Sequence, residues 1–292
     1  MQSRRSALKT ATTLLSGAAL GVSVSAADNP PGAAALKGRI KQSVVPWCFQ
    51  PMPVEELAKH AVKLGVSSVE LIDPRYWPLL KELGLTCAIA GSHGFAKGFA
   101  HLEEHEECLN ILRPRIEECA AAGFERVITF SGFRRGLSTD EGMANMVAGL
   151  KKIIPLAEEK KVTICLEMLN SRVDVKMKGH PDYFCDDIER SVEICREIGS
   201  ERLKVLFDIY HVQIMHGDVT ARIRQHFPYI GHVHTAGVPG RAEIEGDQEL
   251  NYAPLMKTLV ELGYTGFVGQ EFIPAETDKI ASLARAVRLC DV

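Results

Sequence analysis

From residue 43 onward the chain alternates short β-type runs with longer amphipathic helical patterns. Eight runs are predicted as strands: Ser43–Phe49, Ser68–Asp73, Thr86–His93, Arg126–Phe133, Val162–Leu169, Leu203–Tyr210, Ile230–Ala236 and Gly266–Phe272. Apolar residues at steps of three and four predict helices at Val54–Leu64, Leu102–Ala122, Glu141–Lys160, Asp186–Ile198, Tyr252–Leu262 and Lys279–Leu289. Regular alternation of strands and helices predicts parallel strand pairing with right-handed crossovers.

Eight strand–helix units in about 250 residues predict a single closed (β/α)8 barrel. Several predicted helices end on glycine, as at Leu64-Gly65 and Leu262-Gly263, which is typical of C-terminal capping at positive φ. The alternative is an open doubly wound sheet, which needs a glycine-rich phosphate-binding turn after its first strand. The segment there reads Pro46-Trp47-Cys48-Phe49-Gln50-Pro51 and has no glycine, so the sequence favours the α/β barrel.

The first 26 residues differ in character from the rest of the chain. A basic start with Arg4-Arg5 is followed by a weakly apolar stretch and the small-x-small sequence Val24-Ser25-Ala26. This arrangement predicts a cleavable twin-arginine-type signal peptide over residues 1–26, and hence an exported, periplasmic protein. Residues 27–40 are predicted to form a flexible lead, and residues 41–292 the barrel domain that carries the catalytic site.

The composition matters mainly for the classes of protein that it excludes. The formal net charge is −3, and removal of residues 1–26, which hold three cations, leaves −6. An acidic chain with scattered basic residues predicts no nucleic-acid partner. No apolar run after the N-terminus is long enough to span a bilayer, so no stable membrane anchor is expected. The eight cysteines are predicted to be buried core residues without disulfides, and homo-oligomerisation stays open.

Acidic and imidazole side chains stand at the ends of the fifth to eighth predicted strands. Glu167, Asp208 and Glu271 each follow an apolar run, and His232 and His234 alternate along one strand, so that both point to the same side. The carboxyl ends of barrel strands meet at one mouth. Carboxylates that converge there cannot all stay ionised without a cation. Mixed oxygen and nitrogen ligands predict one divalent metal ion, which could be Mn²⁺, Mg²⁺, Co²⁺ or Zn²⁺.

Four segments around these positions resemble hydroxypyruvate isomerases and, more broadly, the xylose isomerase-like TIM barrel superfamily. The segments are Leu166–Asn170, Phe207–His211, Gly231–Arg241 and Gly263–Phe272. The resemblance implies that a metal is held by Glu167, Asp208, His234 and Glu271, and that the substrate is bound by His211 and Arg241. His234 stands where hydroxypyruvate isomerases commonly carry glutamine, and is the choice typical of the related tagatose 3-epimerases.

The resemblance implies a divalent-metal-dependent isomerase or epimerase whose partner is a small hydroxy-keto acid or a sugar such as a ketose. Moving a carbonyl along such a compound requires removal of a proton beside the carbonyl and return of a proton elsewhere. The ene-diolate formed in between carries negative charge that a cation would stabilise. Glu167 and Glu271, on strands three positions apart, are therefore predicted to be catalytic acid/base groups as well as metal ligands.

Three other functions are considered beside the isomerase. An exported metal-dependent lyase or hydrolase of 3-keto-glycosides would use the same proton abstraction, and the export signal favours it. A metal-dependent endonuclease on the same barrel is disfavoured, because its trinuclear site needs more histidine and aspartate ligands than this chain provides. A non-catalytic sugar-binding barrel would keep Arg241 and the aromatic residues but would need no metal ligands.

Some residues have a structural interpretation at least as good as a functional one. The pair Arg134-Arg135, after the fourth predicted strand, is either a second anion-binding clamp or part of a solvated loop. Trp47 and Phe49 either form an apolar wall against a sugar or plug the barrel. His180 is predicted to lie at the surface.

Overall fold

The computed structural model describes residues 36–292 and shows a curled parallel sheet surrounded by helices. The strands are β1 (Lys41–Val44), β2 (Ser68–Val69), β3 (Arg126–Thr129), β4 (Thr163–Glu167), β5 (Leu203–Asp208), β6 (Ile230–Thr235) and β7 (Phe267–Gln270). The helices are α1 (Val54–Lys63), α2 (Trp77–Glu82), α3 (His105–Ala122), α4 (Thr139–Lys151), α5 (Ile154–Lys160), α6 (Ile188–Ile198), α7 (Ile209–Met215), α8 (Val219–His226), α9 (Tyr252–Glu261) and α10 (Lys279–Cys290). The predicted signal peptide and most of the predicted lead lie outside the described residues.

The sheet has the strand order β2-β1-β7-β6-β5-β4-β3, and every neighbouring pair is parallel. The segment between its two edge strands closes the ring through single bridges, from Ser68 to Thr86 and from Ala90 to Val127. The α/β barrel is therefore confirmed in a TIM-barrel-like form, with seven regular strands within residues 36–292. The third predicted strand, Thr86–His93, is wrong as a regular strand. Its Ala88 N–H donates to the side-chain hydroxyl of Ser68 at 2.8 Å. In a regular strand this N–H would donate to a backbone carbonyl of the neighbouring strand, so regular pairing is interrupted here.

Prolines account for the main differences between the predicted and observed element boundaries. The predicted helix Glu141–Lys160 is two helices, α4 and α5, because Pro155 lacks the N–H that would continue the first one. The first strand ends at Val44, and a short 3₁₀ turn begins at Pro46. Helices α2, α7 and α8 were not predicted, because each is only six to eight residues long.

The apolar side chains of the strands and of the inner helix faces form one continuous core. All eight cysteines are buried in it, as predicted, and their thiols are free. Burial raises the pKa of the Cys165 and Cys290 thiols to about 12. Within residues 36–292, no helix combines the length and the apolar character needed to cross a membrane.

Candidate active site

The four predicted metal ligands meet at the carboxyl end of the barrel. Glu167 ends β4, Asp208 ends β5, His234 lies in β6 and Glu271 directly follows β7. The strand register sets Asp208 beside His234, and His234 beside Gly269. Asp208 and His234 therefore share one level of the barrel, and Glu271 lies two residues beyond Gly269. One oxygen or nitrogen from each of the four residues lies within 4.8 Å of the others, and all four side chains are buried. We refer to these four residues as the tetrad.

Two basic side chains lie among the three carboxylates of the tetrad. Arg241 Nη2 is 2.6 Å from Glu271 Oε2 and 3.5 Å from Asp208 Oδ2. His234 Nδ1 is 2.9 Å from the same Glu271 oxygen and 3.6 Å from Glu167 Oε1. Glu271 is therefore the carboxylate most tightly surrounded by positive charge.

The pKa values of the three carboxyl groups are pushed apart by this arrangement. Burial raises the pKa of Glu167 to about 7 and that of Asp208 to about 6, because water no longer solvates the charged form. Burial acts on Glu271 in the same direction, but the charges of His234 and Arg241 outweigh it and hold its pKa below the ordinary value. With protein groups alone, the site does not keep all three carboxylates ionised near neutral pH.

Glu70, a carboxylate outside the predicted set, lies directly behind the tetrad. Its Oε1 accepts hydrogen bonds from His232 Nε2 at 3.0 Å and from His234 Nε2 at 2.8 Å, and all three side chains are fully buried. Both imidazoles thus point to the same side of β6, as the alternation predicts. Gly269 leaves room for the carboxylate, because a Cβ at that position would lie 2.4 Å from Glu70 Oε1.

The hydrogen bonds to Glu70 keep it ionised in the barrel interior. Burial alone would raise the pKa of Glu70, but His232 and His234 lower it to about 2. The sequence signal for Glu70 is the same as for the tetrad, since it immediately follows the apolar end of β2. It escaped prediction because the second strand was extended to Asp73, which placed Glu70 inside a strand instead of at its end.

The surroundings of the His234 ring show whether the tetrad suits a metal. Burial opposes a charge on His234, but Glu271, Glu167 and Glu70 outweigh it and raise the pKa of the imidazole well above its ordinary value, so with protein groups alone the ring is protonated. A bound cation would displace the Nδ1 proton, while Nε2–H donates to Glu70 and keeps Nδ1 turned toward the carboxylates. This Nδ1 atom is buried and has no hydrogen-bond partner within residues 36–292, although oxygens of Glu167 and Glu271 lie nearby. Carboxylate oxygens and one imidazole nitrogen around a shared space are a suitable ligand set for Mn²⁺, Mg²⁺, Co²⁺ or Zn²⁺. The tetrad residues therefore fit one divalent cation.

His211, a predicted substrate-binding residue, presents an unpaired N–H beside the tetrad. The backbone N–H of Asn170 donates to His211 Nδ1 at 3.0 Å, which places the ring proton on Nε2. His211 Nε2 is buried without a hydrogen-bond partner in the described part of the chain, and it lies 3.6 Å from Asp208 Oδ2. Burial and the charge of Arg241 lower the pKa of His211, so the ring is neutral.

Arg241, the other predicted substrate-binding residue, is held by protein groups on several sides. Its guanidinium carbon lies 5.1 Å from the ring centroid of Trp47 and 5.4 Å from that of Tyr210. Nη1 donates to the backbone carbonyl of Met177 at 2.9 Å, and Nη2 is taken by Glu271. Nε alone has no partner within residues 36–292, so a bidentate grip on a substrate carboxylate requires Arg241 to release one of its present partners.

A cavity of about 190 Å³ opens onto Glu167, Glu271 and Arg241. The rest of its wall is largely apolar, and Trp47 contributes to it as predicted for an apolar wall. Phe49 does not line the cavity, and its buried ring packs edge-on against Phe272 in the core, with the ring centroids 5.8 Å apart.

Of the remaining candidate residues, His180 lines the cavity, whereas Arg134 and Arg135 lie outside it. His180 is not at the surface, and that prediction is wrong: the residue is 6% exposed and lines the cavity. Arg134 and Arg135 do not line it. Arg135 Nη2 is paired with Glu104 at 2.6 Å, so the structure favours the solvated-loop interpretation for this pair over an anion clamp.

A parallel α/β barrel with three carboxylates and one histidine gathered at the carboxyl ends of its strands, beside a small cavity, is the arrangement of a barrel enzyme, because barrel active sites lie at that end. The sequence comparisons agree with this class. The chain belongs to the xylose isomerase-like TIM barrel family, whose sequence model matches residues 58–289.

Individual relatives place the chain more closely within this family. It is 30% identical over 233 residues to the "Putative hydroxypyruvate isomerase" of Homo sapiens, which covers 79% of this chain and 78% of that protein. It is 39% identical over 118 residues to the 2-oxo-tetronate isomerase of Cupriavidus necator, which covers 40% and 43%. The solved 3-keto-D-glucoside 4-epimerase from E. coli shares the fold, with a TM-score of 0.72 at 18% identity over 86% of this chain and 98% of that one. The chain is thus an enzyme of the isomerase class.

Proposed function

We propose that this protein is a divalent-metal-dependent isomerase or epimerase that moves a proton through an ene-diolate on a small hydroxy-keto acid or ketose. The observation that carries the proposal is the tetrad, in which three buried carboxylates and Nδ1 of His234 face one shared space. The relatives named hydroxypyruvate isomerase and 2-oxo-tetronate isomerase support the hydroxy-keto acid as the first substrate class to test.

The size of the cavity supports a small substrate. A volume of about 190 Å³ is below the roughly 300–1,000 Å³ of sites that enclose drug-sized ligands. A three- or four-carbon acid suits such a space better than a glycoside with its aglycone. The cavity therefore favours the isomerase over the alternative of a lyase or hydrolase acting on 3-keto-glycosides.

In this proposal Glu167, Asp208, His234 and Glu271 hold the cation. When bound, the cation would supply a Lewis acid that stabilises the negative charge developing on the substrate oxygens. Its positive charge would also favour the ionised carboxylates that the protein alone does not maintain.

The proton transfer is assigned to the two glutamates of the tetrad. Glu167 and Glu271 reach the cavity from β4 and from the end of β7, so they approach a bound substrate from different directions. The ionised carboxylate of one glutamate takes the proton from the carbon beside the carbonyl. The other glutamate enters the step protonated and returns its proton to the neighbouring carbon or to the opposite face. In an isomerisation the substrate hydroxyl proton moves to the former carbonyl oxygen, and both glutamates regain their starting protonation states by exchange with solvent. His211 donates its Nε2–H to a substrate oxygen, and Arg241 holds Glu271 in place.

Proton exchange in D₂O tests the proposal directly. Metal-loaded protein is incubated with hydroxypyruvate, free ketoses and 3-keto-glucosides, and each mixture is followed by NMR, with chelator-treated protein as the control. We expect deuterium to enter beside the carbonyl of a small hydroxy-keto compound, together with rearranged product, only when metal is present. Release of an aglycone from a 3-keto-glucoside would support the lyase instead. Exchange that survives chelation would contradict the role of the tetrad.

We also propose that residues 1–26 export the enzyme by a twin-arginine route, on the strength of Arg4-Arg5 and the Val24-Ser25-Ala26 site. Cell fractionation of the full chain, with Arg4→Lys and Arg5→Lys together as the comparison, tests it. A shortened periplasmic product that disappears in the double variant is expected. An unprocessed cytoplasmic product from both chains would contradict export.

A further inference from the structure

His180 is a polar residue of the cavity wall whose ring has no hydrogen-bond partner in the described part of the chain. The residue is 6% exposed, and its imidazole lies against Phe95, with the ring centroids 4.3 Å apart. Its other ring neighbours are Tyr183 at 6.3 Å and His211 at 6.2 Å. Within residues 36–292 the hydrogen bonds of His180 are made by its backbone, to Asn170 and from Tyr183, and the ring makes none. Because His180 lines the cavity, its free hydrogen-bonding capacity is available to the molecule that fills the cavity.

The neighbouring polar rings of the wall are already paired within the protein. Trp47 Nε1 donates to Glu271 Oε1 at 3.1 Å. His93 Nε2 lies 2.9 Å from Thr129 Oγ1. His180 therefore differs from these rings, because its hydrogen-bonding capacity is left for a ligand.

The backbone around His180 is fixed by hydrogen bonds and does not depend on the ligand. The N–H of His180 donates to the carbonyl of Asn170 at 2.8 Å. The Asn170 side-chain amide and the Tyr210 hydroxyl both donate to the carbonyl of Lys178, at 2.9 and 2.8 Å. Gly179 allows the loop to close on itself, because a Cβ there would lie 2.1 Å from a backbone oxygen of the same loop. The imidazole is thus presented to the cavity in a prepared position.

The protonation state of His180 limits what the ring can bind. Burial and the positive charge of Arg241 lower its pKa to about 4, so the imidazole is neutral at neutral pH. A neutral imidazole has one N–H donor and one nitrogen acceptor. A hydroxyl group, which also both donates and accepts, complements it better than a carboxylate, which only accepts.

We propose that His180 is a specificity-determining residue that binds a hydroxyl group of the substrate and selects hydroxylated compounds over analogues without hydroxyls. This inference rests on the proposed function and adds the chemical feature that the cavity recognises. Sites built to hydrogen-bond a substrate hydroxyl discriminate strongly against analogues that lack it, because the buried partner is then left unpaired.

The test uses two ligands that carry a carboxylate but cannot isomerise, namely glycerate, which has two hydroxyls, and propionate, which has none. Both are titrated by NMR into metal-loaded wild-type protein and into the variants His180→Phe and His180→Gln. His60→Gln on α1, outside the cavity, is the control. We expect His180→Phe to weaken glycerate binding about 3- to 10-fold, as for loss of one hydrogen bond, and to leave propionate unchanged. His180→Gln, whose amide both donates and accepts, should recover most of the affinity.

Two results would overturn the role of His180. One is glycerate binding to His180→Phe as tight as to the wild type, and the other is equal weakening in the Phe and Gln variants. These results are distinct from failure of the proposed function, which is measured on the wild type. A wild type that binds glycerate selectively but exchanges no substrate proton refutes the isomerase and leaves His180 as a binding residue.

Discussion

Replacement of Glu70 by glutamine tests how the barrel prepares His234 for a metal. The substitution keeps the shape of the side chain but removes the charge that accepts both imidazole N–H groups at 2.8 and 3.0 Å. It also places an amide at the position of Glu70 Oε2, which has no hydrogen-bond partner in the described part of the chain. The variant therefore weakens two buried hydrogen bonds and adds a buried donor without a partner.

The expected magnitudes follow from these contacts. A hydrogen bond to a charged group contributes about 1 kcal/mol more than one to a neutral group, so two of them lower the free energy of unfolding by about 2 kcal/mol. For a domain of this size that corresponds to a fall in Tm of roughly 4–8 °C. Loss of a carboxylate that orients a metal-bound histidine weakens metal affinity by about 10- to 100-fold. That range equals about 1.4–2.8 kcal/mol of binding free energy.

The assay titrates metal-free protein with Co²⁺ and follows binding by calorimetry and by the visible absorption of the bound ion. Glu104→Gln is the matched control, because Glu104 is a buried carboxylate paired with Arg135 at 2.6 Å and lies outside the tetrad and the cavity wall. We expect Glu104→Gln to lose stability while it keeps its metal affinity. If Glu70→Gln and Glu104→Gln both bind Co²⁺ within about threefold of the wild type, Glu70 does not orient His234, and the reasoning fails.

Three further predictions concern the same region. Glu271→Gln should lower turnover at least about 100-fold with an unchanged circular dichroism spectrum, and an active variant would remove Glu271 from proton transfer. Gly269→Ala should weaken Co²⁺ binding and lower Tm, since the added methyl meets the Glu70 carboxylate, and wild-type values for both would contradict that crowding. Burial keeps His180 and His93 neutral by lowering the pKa of each, so the unfolded chain binds protons first as the pH falls from about 6.5 toward 4. The free energy of unfolding should therefore fall as the pH is lowered through this window, and it should fall less steeply in His180→Phe. Equal slopes in the wild type and in His180→Phe would contradict the lowered pKa of His180.

The tetrad could be predicted from the sequence because parallel strands leave little freedom in where their ends meet. Glu167, Asp208 and Glu271 each close an apolar strand, and strand register brings such ends to one level of the barrel. The alternation of His232 and His234 fixed their common direction in the same way. These patterns lie within single strands, and parallel strand pairing alone brings the strand ends together into one site.

His180 could not be found in this way, because its position depends on contacts distant in sequence. The loop that carries it has no periodic pattern, and the partner that fixes Lys178 from outside is Tyr210 on α7, 32 residues away. The closing segment of the barrel was mispredicted for a related reason. Its bonds to β2 run partly through the Ser68 hydroxyl, a choice of partner that strand propensity does not encode.

The eight buried thiols give this barrel a set of internal probes of local unfolding. Thiols react with alkylating and oxidising reagents as thiolates, and burial suppresses both ionisation and access. Each cysteine should therefore be labelled only when its own part of the structure opens, so the labelling rate at low reagent concentration reports the free energy of that opening. Because the cysteines are spread from the turn after β1 to the end of α10, the wild-type chain allows opening to be measured around the barrel without any engineered site.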